Sequence, residues 1–207
     1  MEEPRWFAAL VSVLDCRSVP DMSKSPDAPR ISLRPERVSD LQVLTGGDSR
    51  FDDFGSRPPR THISTPNYAG SGALVIVDEN DEVCGYVSWH WNHWGPTPES
   101  HCPMLGIWLR ESWRGRGVGR LAQRRVAEIL FEQTTTNRVE AHTDVENVPE
   151  WRALEAAGFT REGIIRGAHW RPDGYHDGYL YSILRGDLSP DIRDQRCSAA
   201  RGPDSSA

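Results

Sequence analysis

The stretch Gly106-Ile107-Trp108-Leu109-Arg110-Glu111-Ser112-Trp113-Arg114-Gly115-Arg116-Gly117-Val118-Gly119-Arg120 decides how this chain is read. It runs from an apolar strand through a glycine-rich turn straight into an amphipathic helix. Glycines at alternate positions 115, 117 and 119 let the backbone approach a bulky anion with its N–H groups turned inward, and the helix adds the positive end of its dipole. Arg114, Arg116 and Arg120 supply counter-charge. A turn that merely connects two elements rarely needs so many glycines and arginines together, so the segment is expected to hold a pyrophosphate.

Two phosphate loops of similar design fail on particular residues. A Walker A loop requires Gly-Lys-Ser/Thr at the helix start, where this chain has Gly119-Arg120-Leu121. A dinucleotide fingerprint finds its first two glycines in Gly115 and Gly117 and an acid downstream in Glu140. Its third glycine position is Arg120, whose long side chain would obstruct close packing of helix on strand.

Arg114, Gly117 and Gly119 match Arg/Gln-x-x-Gly-x-Gly/Ala, so the loop resembles the signature of the GNAT acyltransferase superfamily. The resemblance continues through Asn137-Arg138-Val139-Glu140-Ala141, Asp144-Val145-Glu146-Asn147, Leu154-Glu155-Ala156-Ala157-Gly158-Phe159, Glu162-Gly163-Ile164 and His176-Asp177-Gly178-Tyr179-Leu180-Tyr181-Ser182. It covers roughly Ile31 to Leu188 and is similar to the branch typified by the ribosomal-protein N-terminal acetyltransferases. The resemblance implies an α+β (mixed α/β) fold: a bent, mostly antiparallel mixed sheet with a central splayed parallel strand pair and helices on both faces. It implies acetyl-CoA as acyl donor, held by Ile107, Trp108, Leu109, Arg114, Gly115, Arg116, Gly117, Val118, Gly119, Arg120 and Asn147. The pantetheine arm would lie in the splay against the backbone of Ile107 and Leu109, and the acceptor amine would attack the thioester directly.

Composition bounds the rest. The chain has 207 residues, 37% hydrophobic and 26% charged, enough for one ordinary domain with tails. A formal charge of -6 argues against a nucleic-acid partner, which needs a basic field. Cysteines 16, 84, 102 and 197 show neither metal spacing nor a disulfide framework, so a cytoplasmic location is expected. No apolar run is long enough for a bilayer, and the acidic flank Met1-Glu2-Glu3 marks Trp6–Leu14 as a short amphipathic helix, packing on the domain or a partner subunit, rather than a signal core. The expected organisation is an N-terminal extension and linker over 1–30, the acyltransferase domain over 31–188 and a disordered tail over 189–207.

Within the domain, Ile31–Arg34 alternates as a first strand, and Ser39-Asp40 would cap a helix through Leu41, Val43 and Leu44. Asp48 to Gly72 is irregular. Ala73–Val77 and Val83–Trp89 flank an acidic turn as a hairpin, and Met104–Leu109 is the next strand. A helix follows with Val118, Leu121, Ala122, Val126, Ile129 and Leu130 on its apolar face. Arg138–Val145 alternates as a strand. Asn147, Pro149 and Glu150 open a second helix with capping-box spacing, which Gly158 stops. Strands at about Thr160–Arg166 and Tyr175–Leu184 close the domain.

The chemistry has a gap, since the central strand carries no carboxylate to act as base. A lysine-like amine of pKa near 10.4 costs about 4 to 5 kcal/mol to neutralise at pH 7, an α-amine near 7.7 to 8.0 only about 1. An acceptor of low pKa is therefore expected, either a small-molecule amine or a protein N-terminus, and a homodimer is left open. By the resemblance, Asn147 would contact cofactor or ordered water, and Tyr181 would protonate the leaving thiolate; the other readings are a helix cap and a core tyrosine. His176 and Asp177, adjacent on a strand, face opposite ways and would not share one substrate. Trp89, Trp91 and Trp94 line either an acceptor pocket or the core. His90-x-x-His93 with His101-Cys102 lacks the order of a closed zinc site, so no metal is expected.

Overall fold

The computed structural model describes residues 29–44, 50–51 and 61–188. The expected N-terminal extension, the tail and much of the loop after Leu44 lie outside the described residues. What is described is a single sheet in the order β1-β2-β3-β4-β5-β7-β6. The strands are β1 (Ile31–Arg34), β2 (Gly72–Asp78), β3 (Val83–His93), β4 (His101–Leu109), β5 (Arg138–Asp144), β6 (Thr160–Arg171) and β7 (Gly174–Leu184). Helix α1 (Val118–Gln133) joins β4 to β5, and α2 (Val148–Ala156) joins β5 to β6. Every neighbouring pair is antiparallel except β4 with β5.

The crossover through α1 forces that exception, because a strand that returns over a helix re-enters the sheet in its original direction. The parallel pair is short. Met104 pairs with Glu140 and Leu105 with Ala141, while β4 continues to Leu109 and β5 to Asp144 without further pairing between them. Beyond Leu105 the two strands therefore part, and the sheet opens towards the head of α1.

Alternation along the strands sorts side chains onto two faces. Leu74, Ile76, Val87, Trp89, Leu105, Val139, Ala141, Tyr181 and Ile183 form the main core with α1 and α2. Helix α1 buries two i,i+4 rows against it, Val118, Ala122, Val126 and Leu130 beside Gly119, Gln123, Ala127 and Phe131. Each large apolar side chain so buried contributes roughly 1.5–3 kcal/mol. A smaller cluster of Leu44, Val75, Val77 and Val83 lies on the other face.

At its C-terminus α1 is tied down by Arg185, whose guanidinium donates to the carbonyls of Phe131 (2.7 Å), Thr134 (2.9 Å) and Thr136 (2.6 Å). Gly158, at φ +95°, stops α2, and the Phe159 amide returns to the Leu154 carbonyl at 3.0 Å. The stop at Gly158 follows the expectation from the sequence.

The local differences have physical causes. The first helix is a 3-10 segment, Val38–Gln42, and Asp40 caps it from inside by accepting the Arg37 amide at 2.7 Å. The Asp40 carboxylate is buried and gripped by Arg34 at 2.7 and 3.0 Å, so it is anchored to β1 and cannot serve as the preceding cap. Strand β3 runs on to His93, beyond the expected end at Trp89. Strand β6 runs to Arg171 through a register break between Ile165 and His169, so only Pro172 and Asp173 remain in the turn to β7. Glu140 and Asp144, on the polar side of the β5 alternation, are fully buried rather than solvated, Glu140 among Asn92, Trp94 and Arg138 and Asp144 beside Arg171.

Candidate active site

The glycine turn is built as an open cradle. Gly115 and Gly117 have φ of +72° and +80°, conformations that L side chains rarely adopt, and a Cβ at either would meet nothing within 4 Å. Gly117 is the N-cap of α1, so the first-turn amides that follow it have no intrahelical acceptor. Val118 and Gly119 turn into the core, where a Cβ on Gly119 would lie 3.6 Å from Leu109 and 3.8 Å from Ile107 and Ala153. Free space at the turn and first-turn amides without intrahelical partners could hold an anion such as a pyrophosphate.

The arginines are arranged less simply than their spacing suggests. Arg114 donates through Nε to the Leu109 carbonyl at 2.9 Å, which holds the turn against β4 and occupies an acceptor expected to meet the pantetheine arm. Arg116 lies over the Trp113 ring, 5.2 Å from its centroid. Arg120 is half-buried on the first turn of α1. Ile107 and Leu109 pack their side chains towards α1, leaving their backbone at the splay, while Trp108 points to the opposite face against Tyr86 at 5.8 Å.

Asn147 stands at the N-cap of α2 but makes no side-chain cap hydrogen bond. Asp144 does the local work, its Oδ1 accepting the Glu146 amide at 2.8 Å. The expected capping box is absent as well: Glu150 turns to α1 and accepts Gln123 Nε2 at 2.6 Å. Burial pushes the Glu150 carboxyl up to about 7, against the pull of the Gln123 amide.

Tyr181 is fully buried beside the splay, opposite Ala141, and donates its hydroxyl proton to Glu155 at 2.9 Å. Burial, reinforced by Glu155, raises its pKa above the usual phenol value. That commitment makes Tyr181 a wall of the cleft, and giving a proton to a thiolate would require the Glu155 bond to be exchanged.

The face away from α1 gathers polar groups from separate strands. Glu140, fully buried, accepts Asn92 Nδ2 at 3.1 Å, Trp94 Nε1 at 2.8 Å and Arg138 Nε at 2.6 Å. His142 follows two residues later on the same face, opposite Leu180. Burial lowers its pKa below the usual imidazole value despite the nearby Glu140 carboxylate. His169 reaches over β7 because Gly178 has no side chain; a Cβ there would lie 2.6 Å from His169 Nε2. The sequence signal for His142 was its place in a polar series on a central strand, but the start of the splay was needed to give that place meaning.

Further along this face a cavity of about 370 Å³ is lined by Arg50, Phe51, Asp144, Glu146, Arg171, Pro172, Asp173 and His176. Asp144, Glu146 and His176 present ligand atoms within 4.8 Å of one another. Arg171, 3.5 Å from Asp144 Oδ2, already supplies a cation there. His176 bonds Asp173 at 3.0 Å while Asp177 accepts the Gly167 amide at 2.8 Å, so the neighbours do diverge as expected. His93 and His101 stack as a cross-strand pair with centroids 3.9 Å apart. Of the tryptophans, Trp89 is core, stacked on Tyr68, and Trp91 pins the Tyr68 carbonyl at 3.1 Å.

A family profile described as acetyltransferase (GNAT) domain matches residues 30–160. The chain belongs to the GNAT acetyltransferase family. An uncharacterised N-acetyltransferase, p20 of Bacillus licheniformis, is 27% identical over 111 residues, 54% of this chain and 60% of that protein. The chain thus spans somewhat more than half the length of the curated relatives it matches. Among solved GNAT structures, the ribosomal-protein-S5-alanine acetyltransferase of Vibrio fischeri aligns with a TM-score of 0.58 at 20% identity, covering 78% of this chain and 96% of that one. Spermidine N-acetyltransferase of Vibrio cholerae, in complex with CoA and spermine, aligns at 0.59 and 17% identity, covering 76% and 97%. At these identities the likeness carries the GNAT fold: a mostly antiparallel sheet with one parallel pair.

Proposed function

We propose that this chain is an acetyl-CoA-dependent N-acetyltransferase that moves the acetyl group to an amine of low pKa by direct attack in a ternary complex. The observation that carries the reading is the end of β4–β5 pairing at Leu105 and Ala141, on the strand that leads through Leu109 into the open turn at Gly115 and Gly117. In this reading, the turn amides and the dipole of α1 hold the pyrophosphate, with Arg114, Arg116 and Arg120 around it. The splay takes the pantetheine arm between the Ile107 and Leu109 backbone and β5, and Asn147, released from capping, is available to the donor. Unpaired β4 amides polarise the thioester carbonyl as the amine attacks, and holding both reactants in one cleft supplies much of the rate.

The acceptor approaches on the face away from α1. The neighbouring cavity there carries both signs, Asp144, Glu146 and Asp173 beside Arg50, Arg171 and His176, so the preference for an amine rests on the acetyl transfer itself. A protein N-terminus and a small-molecule amine both satisfy that requirement, in a cytoplasmic setting. Following free thiol release from acetyl-CoA in the presence of an amine panel tests the reading. Turnover supports it, and tight donor binding without turnover would make the chain a CoA-binding sensor instead.

A further inference from the structure

Where β4 and β5 part, one polar group is enclosed yet uncommitted. His142 follows Ala141, the last β5 residue paired with β4, and shares its face with Glu140 and Arg138. Its Nε2 is buried and has no hydrogen-bond partner among the described residues. An unmatched buried ring nitrogen costs on the order of 1–3 kcal/mol, a cost that a ligand N–H would remove. The β4 position on this face at the start of the splay is Gly106, exposed and without a side chain, so β4 places no side chain over that point of the face His142 shares.

We infer that His142 is the catalytic proton acceptor of the acetyl transfer, its Nε2 receiving the surplus N–H proton of an α-amine at the mouth of the β4–β5 splay. This rests on the acetyltransferase reading above and adds the proton's destination and the class of amine. The amine lone pair forms the C–N bond, the thioester C–S bond breaks, and the sulfur leaves with that electron pair. The N–H proton passes to Nε2, and the resulting imidazolium returns it to the thiolate or to solvent. The ring carries its own hydrogen on Nδ1 beforehand.

The groups acting on the ring are Glu140 and Arg138 from β5, His90 from β3 and His169 from β6, and burial outweighs the Glu140 carboxylate, leaving the imidazole neutral at pH 7. Such a base suits an α-ammonium of pKa near 7.7–8.0. An alkylammonium near 10.4 offers fewer neutral molecules by a factor on the order of 10².

The test uses the full chain, acetyl-CoA, an alanine-initiated peptide and spermidine. Histidine ring NMR is compared between wild type and H142N, with H142Q as second variant and circular dichroism as the check on folding. The resonance lost in the variants is expected to be neutral at pH 7 with hydrogen on Nδ1; an imidazolium at that pH overturns the inference. Acetylation of the peptide is expected to fall by about 10²-fold or more in kcat, with loss of the acidic limb of the pH profile and acetyl-CoA affinity within about twofold of wild type. A folded H142N that keeps the wild-type kcat and pH profile overturns the inference and leaves the acetyltransferase reading standing. Wild-type protein that binds acetyl-CoA but acetylates neither acceptor overturns both.

Discussion

The Glu140 carboxylate accepts the indole Nε1–H of Trp94 at 2.8 Å, which ties the end of β3 to β5 at the base of the splay. Arg138 and Asn92 complete the cage. E140A leaves the Arg138 Nε–H, the Trp94 indole and the Asn92 amide without their acceptor in a buried site, while the guanidinium keeps its pair with Glu162, and should cost at least about 2 kcal/mol. Urea unfolding checks this; a loss below about 1 kcal/mol would show the cage to be solvated.

Gly117 and Gly119 should respond oppositely to an added side chain. G117V forces an L residue to φ near +80°, at about 1–2 kcal/mol, and fills the space over the turn. Calorimetry should find acetyl-CoA binding weakened by at least about tenfold. In G119A the new methyl makes ordinary contacts at 3.6–3.8 Å, and thermal stability should stay level or rise by up to about 1 kcal/mol.

Glu150 sets a pH dependence of stability. Its folded pKa, about 7, lies above its ordinary 4.5, so the folded state binds this proton more tightly than the unfolded state. The contribution is fully present below about pH 4.5, is lost as pH rises to 7, and is flat above. E150Q should therefore be more stable than wild type at pH 8, by on the order of 3 kcal/mol at most, with the difference shrinking towards pH 5. Equal melting temperatures at both pH values would contradict this.

Y181F removes one hydrogen bond to Glu155 and should cost about 1 kcal/mol. If Tyr181 only walls the cleft, kcat stays within about threefold of wild type. A loss of two orders of magnitude or more would return the phenol to the chemistry.

The turn proposed for the donor was legible in contiguous residues, because such a turn is local: Gly115, Gly117 and the head of α1 are neighbours in sequence as in space. So were the hairpin of β2 and β3 and the stop at Gly158. The face proposed for the acceptor was not. His142, Glu140, His90 and His169 come from β5, β3 and β6, and only strand register brings them to one face. At Asn147 the spacing allows a side-chain cap as well as a cofactor contact, and it does not reveal that Asp144 bonds the Glu146 amide and leaves the Asn147 side chain out of the cap.

Arg185 fastens the tail of α1 through three carbonyls while the head of the same helix stays open over Gly117. A helix moored at one end presents its amides as a fixed receptor, so little chain entropy has to be surrendered when a phosphate docks. Loosening that distant mooring, for instance by R185A, would reach the donor as a weaker grip, although Arg185 never comes near it.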